Sequence, residues 1–87
     1  MTVCYRVVIK RSAERELRAI PVPDLPRVVA RVQGLANQPR PSGCEKLSGQ
    51  DRYRIRQGDY RIVYAVSDKE RLVEIIRIGH RREVYRT

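Results

Sequence analysis

The run Tyr53-Arg-Ile-Arg-Gln-Gly-Asp-Tyr-Arg-Ile-Val-Tyr64 alternates cationic and apolar side chains on both sides of a Gln-Gly-Asp break. Successive side chains of a strand point to opposite faces, so this pattern predicts a β-hairpin with one hydrocarbon face and one arginine face. Arg54 and Arg56 project together, Ile55 points away from them, and Arg61 follows across the turn near the pair. Guanidiniums held side by side repel one another, and the arrangement becomes favourable when a polyanion enters between them. A phosphate-bearing ligand, nucleic acid above all, is the partner such a face suits.

The rest of the composition bounds that reading. Eighty-seven residues make a single domain, residues 1–87, with one small core. The net charge of +9 rests on sixteen arginines and three lysines. Arginine's planar fork favours bidentate phosphate recognition over simple solubilisation. Charge by itself leaves two classes open, a nucleic-acid or ribosome binder and a basic domain that binds protein. No apolar run approaches the ~20 residues a bilayer span requires, and the start Met-Thr-Val-Cys-Tyr-Arg lacks a signal-peptide core, so no membrane partner and a cytoplasmic location are expected. Cys4 and Cys44 lack the paired spacing of a zinc site. Both are expected as reduced thiols, Cys4 as a small buried hydrophobe in a strand, with no metal or other cofactor.

Along the chain, Val3 to Ile9 is rich in β-branched and aromatic residues and predicts a half-buried first strand. Ser12 is a plausible N-cap for a helix over Ala13 to Ile20, with Glu14 and Glu16 near its positive end and Pro21 as its stop. Asp24 and Pro26 announce a second helix. Its stripe of Leu25, Val28, Val29, Val32, Leu35 and Ala36 recurs at threes and fours, with Arg27 and Arg31 on the solvated side, and Asn37, Pro39 and Pro41 close it. After a Pro- and Gly-punctuated linker from Gln38 to Glu45 the period changes to two. Strands are expected at Arg52 to Arg56, Tyr60 to Val66 and Leu72 to Ile78, with Tyr53, Tyr60 and Tyr64 on the core side. The predicted class is α+β, in the order β-α-α-β-β-β. An antiparallel meander plus the first strand, at an edge the sequence does not identify, forms one sheet, covered on one face by a helical hairpin and exposed on the other.

Three motifs stand in order along this frame: Lys46-Leu-Ser-Gly49, the Tyr53 to Tyr64 hairpin, and Ile78-Gly-His-Arg-Arg-Glu-Val-Tyr85. With the strand and two helices before them, they make nearly the whole chain resemble the RelE branch of the RelE/ParE toxin superfamily. The resemblance implies a RelE-like, microbial-RNase-like fold. It also implies a toxin of a type II toxin-antitoxin pair, a ribosome-dependent endoribonuclease that cuts mRNA in the A site of the 70S ribosome. A cognate antitoxin would neutralise it. It places Arg54 and Arg56 on two basic strand positions of the site, Arg61 on the arginine that supports the scissile phosphate, Arg81 on leaving-group stabilisation and Tyr85 on base stacking. Lys46, Arg82 and Arg86 become contacts to RNA or the ribosome. The competing branch of the same fold, ParE, poisons DNA gyrase; a non-catalytic RNA-binding homologue is a third reading.

Cleavage by the neighbouring 2′-hydroxyl needs in-line geometry, stabilisation of phosphorane charge and a place for two protons. Arginines suit the charge. They do not suit the proton, because arginine does not give one up, whereas the lysines that some relatives carry at the positions of Arg54 and Arg56 can. His80 is the remaining candidate base, flanked by Arg81 and Arg82, which disfavour its charged form; the alternative is an orienting or packing histidine. Tyr85 is either a stacking platform for a base or a hydrophobic plug.

Overall fold

In the computed structural model, which describes residues 4–47 and 51–84, the chain runs β1 (Arg6–Ile9), α1 (Arg11–Arg18), α2 (Leu25–Gly34), β2 (Glu45–Leu47), β3 (Arg52–Gln57), β4 (Tyr60–Ser67), β5 (Leu72–His80) and a single turn of helix, α3 (Arg81–Val84). One five-stranded sheet orders the strands β1-β5-β4-β3-β2. The α+β class and the antiparallel meander are as expected. The edge that the sequence left open is settled: β1 lies parallel to β5, with Arg6 opposite Leu72 and Ile9 opposite Ile75.

The core follows from the two periodicities. Ala13 and Ile20 from the α1 region and Val28, Val32 and Leu35 from α2 meet Tyr53, Ile55, Ile62, Tyr64, Val66, Val73, Ile75 and Ile78 from the sheet. The helical residues recur at seven, or at four and three, and the strand residues on β3 and β4 at two, so one face of each element is buried. Tyr53 and Tyr64 are register partners and stack with centroids 5.8 Å apart. Tyr60 packs partly buried against the same core. On the other face Arg54, Val63 and Ala65 remain partly exposed.

Several boundaries differ from expectation. The linker ends a residue early because Glu45–Leu47 adds a fifth strand, pairing antiparallel with β3. β1 begins at Arg6, not Val3, and is mostly exposed because it is an edge strand. Val3 lies outside the described residues, and Cys4 is exposed, its Sγ 3.6 Å from Asn37 Oδ1, so it is not a buried hydrophobe. α1 starts at Arg11 on a Lys10 N-cap without any side-chain cap from Ser12, and it ends at Arg18. Arg18 lies near the helix's negative end and pairs at 2.7 Å with Glu14. α2 stops at Gly34, one turn before Asn37.

Two local devices shape the end of the sheet that carries the arginines. Gln57 pairs with Tyr60 around a two-residue loop in which Gly58 has φ +59, and no positive φ occurs at Asp59. A glycine at the first central position is the requirement of the type II′ hairpin turn. On β5 the register slips between Val63 and Tyr64, so that Val63 faces Arg77 while Tyr64 faces Ile75. The extra residue sets the phase beyond it and places Gly79 opposite Arg61.

Candidate active site

β2 ends its pairing with Glu45 opposite Arg54, so among the described residues the β3 edge beyond that residue has no strand beside it. A cleft of about 340 Å³ opens there. Its walls are Arg54, Ile55 and Arg56 of β3, Arg61 of β4, Glu45 of β2, Gly43 of the preceding linker and Arg31 of α2. Among the described residues, four guanidiniums thus face one carboxylate. Strand alternation accounts for three of them, since Arg56 and Arg61 are register partners and Arg54 lies two residues along the same face. Arg31 departs from expectation: it borders the apolar stripe beside Val32, is only half exposed, and turns toward the cleft instead of into open solvent.

Arg61 is the buried cation of the group, at 7% exposure. Its Nη1 donates to the carbonyl oxygens of Gly58 at 3.2 Å and Tyr60 at 3.1 Å, so the hairpin turn itself holds the guanidinium. The facing position on β5 is Gly79, which brings no side chain to compete for that space. Among the described residues neither Arg56 nor Arg61 takes part in a salt bridge. A fixed guanidinium bonded to carbonyls instead of a carboxylate keeps its full charge for an incoming anion. Arg54 is held differently, its Nη2 donating to Glu45 Oε2 at 2.8 Å.

Arg81 reaches the same end of the sheet through the backbone: its N–H donates at 2.7 Å to the carbonyl of Asp59, in the turn between Arg56 and Arg61. Its side chain is exposed at the start of α3. The structure therefore brings Arg54, Arg56 and Arg61 into one cleft and sets Arg81 beside the turn that carries it. His80 is not brought to that cleft. It is the register partner of Tyr60, on the opposite face from Gly79 and Arg61, and lines a separate pocket with Glu16, Ile20 and Tyr60. Its ring meets Tyr60 edge-on at 6.0 Å, and Nδ1 accepts the N–H of Arg82 at 3.4 Å, which is the packing and orienting arrangement. Lys46 pairs with Tyr53 and alternates away from Glu45, outside the cleft. Arg82 is exposed at the start of α3. Tyr85 and Arg86 lie outside the described residues. Sequence reasoning missed Arg31 and Glu45, because each depends on where a distant element lands: α2 over the sheet edge, β2 beside β3.

The opposite end of the sheet is closed by a polar clamp. Arg40 in the linker donates Nη1 and Nη2 to Asp68 at 3.1 and 2.9 Å and Nε to the Tyr53 hydroxyl at 2.9 Å, while the Tyr5 hydroxyl donates to Asp68 at 2.6 Å. The Arg40 bonds hold the Asp68 carboxyl below its usual range, with the Tyr5 bond adding to the effect. The same bond to Asp68 raises the Tyr5 phenol. Tyr64 is pushed up chiefly by burial, and its hydroxyl donates to the Pro39 carbonyl at 2.6 Å. Linker and sheet are thereby locked together a short distance before Gly43 and Glu45.

Residues 7–85 match the family of ParE toxins of type II toxin-antitoxin systems. Among characterised proteins the chain is 37% identical over 84 residues to the toxin RelE of Mycobacterium tuberculosis, covering 94% of this chain and 87% of that one. It is 33% identical over 86 residues to the toxin RelG of the same organism, covering 94% and 97%. Among solved structures, the M. tuberculosis toxin-antitoxin complex RelBE2 superposes with TM-score 0.80 at 29% identity over 92% of this chain and 94% of the other. The RelE-RelB complex of Pyrococcus horikoshii gives 0.77 at 30% identity over 93% and 97%. With its sheet order, its arginine hairpin and these relatives in agreement, the chain belongs to the RelE branch of the RelE/ParE superfamily of type II toxin-antitoxin toxins.

Proposed function

We propose that this toxin is an endoribonuclease that enters the A site of the 70S ribosome and cuts the mRNA there. The observation that carries the reading is the convergence of Arg31, Arg54, Arg56 and Arg61 on one cleft, with Arg81 anchored beside the same turn. The 2′-oxygen of a ribose attacks the adjacent phosphorus, the bond from phosphorus to the 5′-oxygen breaks, and a 2′,3′-cyclic phosphate and a 5′-hydroxyl result. Negative charge grows on the phosphoryl oxygens at the moment of attack, and fixed guanidiniums meet it without the reorganisation water would need. Arg61 is the best placed of them, buried and fixed by the turn. Arg54 and Arg56 hold the flanking backbone, Arg81 stabilises the departing oxygen, and Tyr85 stacks on a base. Lys46, Arg82 and Arg86 contact ribosomal or messenger RNA. No helix among the described residues is long and apolar enough to cross a membrane.

A cognate antitoxin is the second partner. Solved relatives are toxin-antitoxin complexes, and the net charge of +9 suits an acidic segment that folds as it docks. Co-expression with the product of the adjacent reading frame is expected to yield a co-purifying complex and restored growth. For the catalytic reading, primer extension on mRNA bound to programmed ribosomes is expected to map cuts to the A-site codon. The match to the ParE family gives one rival a footing, inhibition of DNA gyrase. Supercoiling inhibited with no cut in the message would replace our reading with that one.

A further inference from the structure

The cleft holds a residue that the arginine chemistry lacks. Of the described residues that line it, Glu45 alone has a side chain able to take a proton at neutral pH; the others are arginines, a glycine and an isoleucine. Its place is built rather than incidental. β2 is three residues long, and its register sets Glu45 opposite Arg54, so alternation turns the carboxylate onto the arginine face. Arg54 Nη2 engages Oε2 at 2.8 Å and fixes the carboxylate's orientation, while Oε1 accepts no hydrogen bond among the described residues. The Glu45 side chain is 58% exposed against 18% for Arg54, so a substrate can reach the carboxylate across a largely covered guanidinium.

We propose that Glu45 is the proton acceptor of the cleavage reaction, an inference that rests on the ribonuclease reading above. As the 2′-oxygen to phosphorus bond forms, the 2′-hydroxyl proton passes to Glu45 Oε1. The electron pair of the bond to the 5′-oxygen leaves with that oxygen, which is protonated by water at the open mouth of the cleft, and Glu45 then releases its proton to solvent. The charged groups facing the carboxylate are Arg54 and Arg56 from β3, Arg61 from β4 and Arg31 from α2. This division of labour explains how a site without lysine on β3 starts the reaction: the strand arginines hold the phosphate, and the neighbouring strand supplies the base.

The test is single-turnover cleavage of mRNA in programmed ribosomes as a function of pH, for the parent, Glu45→Gln and Glu45→Ala, with ribosome binding followed by co-sedimentation. Glu45→Gln is expected to cleave roughly 100-fold or more slowly while still binding ribosomes, the size of effect a positioned base contributes. The parent's rate is expected to fall on acidification along a limb that Glu45→Gln lacks, and added formate is expected to restore part of the Glu45→Ala rate. Recovery by formate also separates a missing base from a misfolded chain. Cleavage by Glu45→Gln as fast as the parent would make the carboxylate a counter-ion of Arg54 and overturn the proposal, as would a slower rate with the acidic limb intact. Either result leaves the ribonuclease reading standing, because the parent cuts; a parent that cuts nothing overturns both.

Discussion

β1 stops at Ile9, opposite Ile75, while β5 runs on to His80, so the outer edge of β5 past that point has no strand partner among the described residues. The side chain of Glu16 on α1 reaches this edge, and Oε1 accepts the N–H of Ile78 at 2.9 Å. Ile78 is 1% exposed with the carboxylate in place, so in the parent this N–H relies on Glu16 and not on water. A hydrogen bond to a charged group contributes about 1.5–3 kcal/mol, and a buried donor left without an acceptor costs about as much as the bond was worth. Glu16 is one-third exposed and its contact to Arg77 Nε is long, at 3.8 Å, which places the effect in the middle of that range. Alanine's better helix propensity returns a few tenths of a kcal/mol. Glu16→Ala should therefore destabilise the fold by about 2 kcal/mol, a drop in Tm of roughly 8–16 °C for a domain of this size. Glu16→Gln retains an acceptor oxygen and loses the charge, and should cost about 0.5–1 kcal/mol. Urea unfolding followed by circular dichroism reads both as shifts of midpoint at constant slope, and amide exchange at Ile78 should accelerate in the alanine variant. Equal losses in the two variants, or a loss below about 0.5 kcal/mol in Glu16→Ala, would refute the view that this carboxylate completes the sheet edge. Because Arg81 lies three residues further on, a loosened edge should also slow any activity that depends on Arg81.

Arg61→Met keeps the volume of a buried side chain and removes its charge; cleavage should fall by roughly 100- to 1,000-fold, the loss seen on deleting one preorganised donor, with thermal stability little changed. A rate near the parent's in ribosome assays would remove Arg61 from the chemistry. Gly58→Ala should cost about 1–2 kcal/mol in urea unfolding, because φ +59 is strained for any side chain although nothing lies within 4 Å of the added methyl. Asp68 titrates below its usual range because of Arg40 and then Tyr5, so its contribution is present above the unfolded-state value and is lost as pH falls through the folded one. Unfolding midpoints of the parent should therefore decline more steeply below about pH 4 than those of Asp68→Asn, and parallel declines would show that the clamp does not couple to folding.

The hairpin was legible because its signal is local: alternation, a Gly-Asp turn and matched lengths on both sides fix register and face within twelve residues. The helices were legible from spacing, though not their ends, since Lys10 rather than Ser12 occupies the cap and makes no side-chain bond. β2 was missed because three residues are too few for a period of two to declare itself, and its pairing is what makes a strand of Glu45–Leu47. The parallel placement of β1 has no local signature at all, being decided by contacts more than sixty residues away. The site divides along the same line. Arg54, Arg56 and Arg61 declare themselves in sequence, whereas Arg31 and Glu45 enter the cleft only through tertiary packing. His80 lies on the other face: the register that seats Gly79 opposite Arg61 turns its neighbour toward Tyr60, in keeping with the orienting alternative that the sequence left open.

Carboxylate partners of the arginines fall at particular places on this frame. Glu14 is engaged by Arg18, Glu16 lies within reach of Arg77, Asp68 is engaged by Arg40, and Glu45 by Arg54. Asp68 and Arg40 neutralise each other at the clamped end of the β3–β4 ladder, next to the stacked tyrosines. At the other end Arg56 and Arg61 take part in no salt bridge among the described residues, and Arg81 stands beside their turn. The β3–β4 ladder is thus tied by a charge pair where the linker crosses it and lined by arginines where the cleft opens. Arginines gathered in this way attract a polyanion before any specific contact forms. The clamp fixes the linker through Pro39 and Arg40, and the residues that follow deliver Gly43 and Glu45 to the cleft, so the clamped end bears on the geometry of the cleft. Rigidity of that kind is what electrostatic stabilisation requires, because a guanidinium that must first be positioned spends on ordering itself the free energy it would otherwise give to the transition state.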